Sequence, residues 1–162
     1  MSTFSVRPAI PSDAGSLLEL IRGLALYERA ADQVVNTPEG LLRDGFGDHP
    51  VFFAWMAEVS GRPVGFALAY YRYSTWRGKV LYLEDLFVDP AHRGKGIGKA
   101  LVAKLQEKVR AESLPGISFQ VLDWNEPAIG FYRRLGAGFD ASWWNGFIAA
   151  GPEQGNQPEN LA

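Results

Sequence analysis

The sequence predicts an α/β (α+β) fold: a mixed sheet with helices on its faces. Three observations carry this expectation. Residues 51–59, 64–73 and 79–88 are apolar, β-branched or aromatic stretches of strand length, separated by turn residues. Leu17, Leu18, Ile21, Leu24 and Ala25 recur at helical spacing, and so do Ile97, Leu101, Val102, Leu105 and Val109. The chain has 162 residues, 47% of them apolar, and no internal repeat or linker divides them, which is about one domain's worth.

Taken in order, residues 4–10 read as a first strand ended by prolines. Pro11-Ser12-Asp13 starts a helix that runs to about Tyr27-Glu28, and Thr37-Pro38-Glu39 starts a shorter one, with Thr37 as N-cap. Residues 51–59 and 64–73 form a hairpin around Gly61-Arg62-Pro63. The strand 79–88 is stopped by Asp89-Pro90, and the helix 99–112 follows a glycine-rich turn. Residues 117–122 suit a strand in a sheet interior. Glu126-Pro127 starts a helix that Gly136 ends, and residues 142–149 make a last, aromatic-rich strand. The order is β-α-α-β-β-β-α-β-α-β. Residues 1–150 are expected to form a single domain. Residues 151–162 have little to bury and are expected to be a tail, mobile unless a partner holds it.

Charge and composition exclude several classes. A net charge of −2 argues against a nucleic-acid partner. With no cysteine there is no disulfide, thiolate metal site or Cys nucleophile. His49 and His92 are far apart and are the whole imidazole supply, so no metal is expected. No run approaches the roughly 20 apolar residues of a membrane span, and residues 1–7 lack a secretory pattern. The expectation is a cytoplasmic protein with no membrane partner.

Four features invite a functional reading beside a structural one. Arg93-Gly94-Lys95-Gly96-Ile97-Gly98 links a strand to a helix start. Glycines there allow backbone N–H groups to converge on an anion, and the helix adds about half a positive charge. Glycine in a turn also serves backbone needs alone; Arg93, Lys95 and Lys99 add charge at the same spot. It is neither a Walker A loop nor a dinucleotide fingerprint. Asn125 is either a helix cap or a site residue; Tyr132, two turns on, either packs in the core or faces the same cleft. Glu84 and Asp85 sit amid apolar residues, and strand alternation points them to opposite faces. Tyr27-Glu28 and Trp76 have nothing local that outweighs an ordinary helix end and a surface aromatic.

Together, the glycine turn after a strand and Asn125-x-x-Ala128-x-x-Phe131-Tyr132-x-x-x-Gly136 resemble the GNAT superfamily of acyl-CoA N-acyltransferases, from about Phe4 to Ala150. Leu26-Tyr27-Glu28, Leu41-Leu42-x-Asp44-Gly45-Phe46-Gly47-x-His49-Pro50 and Tyr82-Leu83-Glu84-Asp85 resemble the spermidine/spermine (diamine) N-acetyltransferase group. Tyr73-Ser74-Thr75-Trp76-x-Gly78 and Val121-Leu122-Asp123-Trp124-Asn125 resemble its thialysine-acetylating branch.

The resemblance implies a mostly antiparallel GNAT-like sheet with a V-shaped splay between the strands ending near Val88 and Leu122. It implies acetyl-CoA as acetyl donor. Leu86, Phe87 and Val88 would pair with the pantetheine arm, and Arg93, Gly94, Lys95, Gly96, Ile97, Gly98 and Lys99 would hold the diphosphate. Asn125, Glu126, Pro127, Ala128 and Arg134 would add donor contacts. Glu84 is the implied base, Tyr132 the proton donor to the leaving thiolate, and the Phe87 N–H a candidate oxyanion donor. Tyr27, Glu28, Glu84, Asp85 and Trp76 would line the site of a small amine: a diamine, a polyamine or a thialysine-like amino acid. Ser74 stands where the polyamine branch tends to carry an acid, which favours a shorter amine, and residues 142–162 match the family poorly. A homodimer is implied as well. Acetylation of protein lysines or N-termini, or CoA sensing without catalysis, are the alternatives.

Overall fold

The computed structural model describes residues 3–148 and 150. The chain divides into two compact units, residues 1–120 and 121–162. The first holds β1 (Phe4–Pro8), α1 (Ala14–Tyr27), α2 (Pro38–Phe46), β2 (Phe53–Val59), β3 (Arg62–Ser74), β4 (Gly78–Val88), α3 (Ile97–Ala111) and β5 (Ile117–Phe119). The second holds α4 (Glu126–Arg134). Among the described residues no helix is long and apolar enough to cross a membrane.

In the first unit five strands form one sheet in sequence order, antiparallel from β1 to β4, with β5 parallel to β4. Strand alternation then builds two apolar layers. Phe66, Leu68 and Phe87 pack on one face with Met56 and with Leu17, Leu18 and Leu41 of α1 and α2. Ala67 and Ala69 point to the other face, where α3 buries Ile97, Leu101, Val102 and Leu105. There the Lys108 ammonium lies 4.7 Å from the Phe53 ring centre and 5.5 Å from that of Tyr71. Glu112, which caps α3, accepts the Tyr71 hydroxyl and pairs with Lys108 at 2.6 Å, tying the helix end to the sheet.

Local signals held where local chemistry decides. Thr37 caps α2 by accepting the Gly40 N–H at 3.1 Å. Pro11–Asp13 form a single 3-10 turn before α1. Three readings are corrected. The β2–β3 turn is Ser60-Gly61, both left-handed (φ 50° and 75°), so Arg62 and Pro63 belong to β3 rather than to the turn. β5 stops at Phe119 instead of residue 122. Residues 142–148 form no strand: Asp140 accepts from the Ser142 N–H at 2.9 Å and from Trp143 Nε1 at 3.1 Å, and that local turn competes with extended pairing. Residue 149 and the expected tail 151–162 lie outside the described residues.

Candidate active site

β4 carries the chemistry, and its irregularity decides what that chemistry is. Ala69 pairs with Leu83 and Leu68 with Asp85, so Glu84 is an extra residue with no opposite number: a β-bulge. A bulge interrupts alternation. Asp85 faces the α1 layer with Leu68 and Phe87, and Glu84 joins it there, because the Tyr82 phenol feels both carboxylates and Tyr70 feels Glu84 by charge and by hydrogen bond. The expectation that Glu84 and Asp85 point to opposite faces is therefore corrected, and the bulge is the reason.

Helix α1 completes the cluster. Its Gly23 lets the Phe87 ring come close, since a Cβ there would meet ring carbons at 3.1 and 3.2 Å. That approach brings the end of α1, Tyr27 with the capping Glu28, to the second half of β4. Burial, then the Glu84 and Glu28 carboxylates, push the Asp85 carboxyl up to about 7. Burial alone pushes Glu28 upward. Both charges acting on Asp85 are negative, so an added cation relieves the cluster. Glu84 is the exposed member of the pair.

The open edge of β4 lies beside these acids. β5 pairs with β4 only from Leu81 to Leu83; past that point, among the described residues, β4 has β3 as its one strand partner, and this is the splay. The Asp89 N–H donates to Val64 O at 2.8 Å. Antiparallel alternation then turns the N–H and C=O of Phe87 toward β3 and those of Leu86 and Val88 outward. Arg93 Nε accordingly donates to Val88 O at 2.9 Å. The expected oxyanion donor, the Phe87 N–H, thus faces the ladder; the outward amides belong to Leu86 and Val88.

The glycine turn continues from that edge. Gly94 and Gly96 are left-handed, at φ 74° and 83°, and a Cβ on either would meet nothing within 4 Å. Gly96 is the N-cap of α3 and offers no side-chain acceptor, and the first turn of the helix has no acid. Its leading N–H groups are left to an outside anion. Lys95 lies along the turn, its Nζ donating to Ala91 O at 3.1 Å. Uncapped donors, absent Cβ atoms and a free strand edge leading to them fit an acyl donor that carries a diphosphate on an amide-bearing arm.

In the second unit Asn125 is a cap: its side chain accepts the Ala128 N–H at 3.3 Å, with Glu126 and Pro127 in the first turn of α4. Asn125, Ile129 and Tyr132 are all buried and follow one stripe of α4. The Tyr132 ring meets Phe131 edge-on at 5.2 Å. Arg134 is the last residue of α4, and Gly136 (φ 86°) ends it with its N–H on Arg133 O.

Trp76 is not brought to the acids by its own chain. It lies 86% exposed at the β3–β4 turn, where Ser74 accepts the N–H groups of Trp76 and Arg77. Ser74 pairs with Gly78, six residues from Glu84, which is roughly 20 Å along the strand. Ser74 is thus a turn-former here. Sequence reading missed Tyr70, Tyr82 and Gly23. Tyr82 stands two residues before Glu84, a spacing that already suggested a shared face; Tyr70 and Gly23 need the sheet register and helix docking.

The acetyltransferase (GNAT) family model matches residues 19–137. A thialysine N-epsilon-acetyltransferase of Sus scrofa is 39% identical over 157 residues, covering 91% of this chain and 92% of that protein. The spermidine/spermine N(1)-acetyltransferase-like protein 1 of Homo sapiens is 39% identical over 144 residues, 85% of this chain and 21% of that protein. A solved aminoglycoside acetyltransferase from an uncultured soil metagenomic sample superposes with a TM-score of 0.75 at 25% identity, over 91% of this chain and 99% of that one. A strand opened at its bulge, the uncapped glycine turn after it and a family match that runs through both lead to one conclusion: the chain belongs to the GNAT acetyltransferase family and is an acyltransferase.

Proposed function

We propose that the protein transfers an acetyl group from acetyl-CoA to the primary amine of a small cationic acceptor, of the thialysine or short diamine kind, by direct attack with both substrates bound. The observation that carries this reading is the bulge that sets Glu84 and Asp85 on one face beside Glu28. Three carboxyl groups suit an ammonium ion. The thialysine acetyltransferase relatives favour the amino-acid acceptor over the polyamine.

Leu86 and Val88 supply outward amides for the pantetheine arm, while the Phe87 ring packs inward against Gly23 of α1. Gly94, Lys95, Gly96, Ile97, Gly98 and Lys99 receive the diphosphate through main-chain donors and positive charge. By resemblance, Asn125, Glu126, Pro127, Ala128 and Arg134 add donor contacts. Acetyl-CoA supplies an activated thioester carbonyl and a thiolate leaving group.

The acceptor must lose a proton before it attacks. A lysine-like ammonium has a pKa of about 10.4, so about one molecule in 2,500 is free base at pH 7, a penalty of roughly 4.6 kcal/mol. The acid pair takes that proton, Asp85 from within and Glu84 at the solvent side, directly or through water. A carboxyl raised to about 7 is better matched to this task than an ordinary one. By resemblance, Tyr132 is the residue that meets the leaving thiolate. A phenol near 10 is a weaker acid than a thiol near 8.5, so full transfer is uphill by roughly 2 kcal/mol, and a hydrogen bond to the developing charge is its main contribution. Trp76 serves the acceptor when a second copy of the chain presents it, which links the expected homodimer to the amine site.

The test is an acetyl-transfer assay over thialysine, lysine, diamines, polyamines and basic peptides, with CoA binding followed by calorimetry. Transfer to thialysine or a short diamine is expected; transfer to peptides alone would move the acceptor class, and no CoA binding at millimolar concentration would end the proposal. Tyr132→Phe should lower turnover far more than CoA affinity, and equal rates would remove Tyr132 from the chemistry.

A further inference from the structure

Arg93 opens the glycine turn, and although the residue is exposed its guanidinium lies against the protein. Nε donates to Val88 O at 2.9 Å, on the outward edge of β4. The guanidinium carbon lies 4.7 Å from the centre of the Tyr27 ring and 5.8 Å from that of Phe87. Three elements meet there: the end of α1, the end of β4 and the turn. A planar guanidinium can stack on a ring while donating in its own plane, which a lysine ammonium cannot do.

Resting on the acetyl transfer argued above, we infer that Arg93 is a positioning residue that holds Tyr27 against the open end of β4, so that the first residue of the donor turn sets one wall of the acceptor pocket. Tyr27 is the last residue of α1, and the next, Glu28, is the carboxylate that acts on Asp85. Loosening Tyr27 therefore loosens the acid cluster. Arg93 also occupies the outward Val88 carbonyl, so an arm pairing at this edge meets the Leu86 amide and the Val88 N–H. Arg93 thus serves the amine more than the diphosphate.

The experiment combines kinetics with a double-mutant cycle on the full chain. Arg93→Met is expected to raise the KM of the amine about fivefold while the Kd for CoA stays within about twofold. Tyr27→Leu should do the same, and the pair together should be no worse than either alone. Arg93→Lys, which keeps the charge, should not restore the wild-type KM. A roughly tenfold loss of CoA affinity with an unchanged amine KM, additive effects, or rescue by lysine would overturn the inference. The same cycle read by denaturant unfolding detects the Arg93–Tyr27 coupling without any turnover. Absence of coupling in an active enzyme sinks this inference, whereas coupling in a protein that binds no CoA sinks the proposed function instead.

Discussion

The two ends of α1 each gather carboxylates and put them to opposite uses. At the start, Asp13 accepts from both terminal nitrogens of Arg7, at 2.7 and 2.8 Å, and Arg7 also pairs with Glu58 of β2 at 2.5 Å. The Asp13 carboxylate further accepts the Ile10 N–H at 2.8 Å. Hydrogen bonding to Arg7 holds the Asp13 carboxyl below its ordinary value against the opposing effect of burial. At the other end three carboxyl groups crowd together, and Asp85 is pushed up to about 7. The helix dipole sharpens the contrast, because it favours an acid at its first turn and disfavours Glu28 at its last. The first cluster is finished within the fold. In the second, both charges acting on Asp85 are negative and an arriving ammonium offsets them, which is how a structural charge differs from a binding one.

The largest expected effect tests the second cluster. Asp85→Asn should lower turnover by about 100-fold or more while raising stability at pH 8, since it removes a carboxylate that burial and its neighbours oppose. Loss of stability together with activity would make Asp85 a structural acid like Asp13. Next in size, Asp13→Asn should cost roughly 2 kcal/mol of unfolding free energy, read from denaturant midpoints, with turnover per folded molecule unchanged. A fall in turnover would join the two ends functionally.

The pH dependence separates the clusters by sign. Asp85 has a raised value, so its stabilising contribution is complete below the ordinary 3.8 and is lost as pH climbs through about 7. Asp13 has a lowered value, so its contribution is present above 3.8 and is lost as pH falls below that. The stability gap between Asp85→Asn and the wild type should therefore widen from pH 4 to pH 7, by up to roughly 3 kcal/mol, and then level off, and denaturation curves at stepped pH would measure it. A flat gap would mean that the acid cluster is solvated. Smallest of all, Gly23→Ala should crowd the Phe87 ring, tilt the end of α1 and raise the amine KM about twofold to threefold with less than about 1 kcal/mol of destabilisation. An unchanged KM would show that α1 tolerates the methyl without moving Glu28.

What was legible in the sequence was what one segment decides for itself. Thr37 and Asn125 announce helix starts by their own side chains, and Gly136 announces an end because a left-handed residue is needed there. The glycine turn and the Asn125–Tyr132 helix were readable as motifs, and they carried the family before any geometry. The bulge at Glu84 was not readable, because it is a property of the pairing between β3 and β4 rather than of either strand. The direction of the Phe87 amide depends on the same register. The role of Arg93 depends on Tyr27, 66 positions away, coming to rest under its guanidinium. The aromatic run at 142–148 has strand-like composition, yet Asp140 offers its backbone a nearer partner.

The single unpaired residue in β4 also sets a phase. Before it, the odd-numbered Leu81 and Leu83 pair with Tyr71 and Ala69 on the α3 side; after it, the odd-numbered Asp85 and Phe87 pair with Leu68 and Phe66 on the α1 side. One amino acid thus lets a single strand serve both layers with the same parity of apolar positions. Excising Glu84 would restore a regular ladder with Asp85 and Phe87 still opposite Leu68 and Phe66, so what the extra residue adds is one more carboxylate beside Asp85 rather than the seat of the strand under α1.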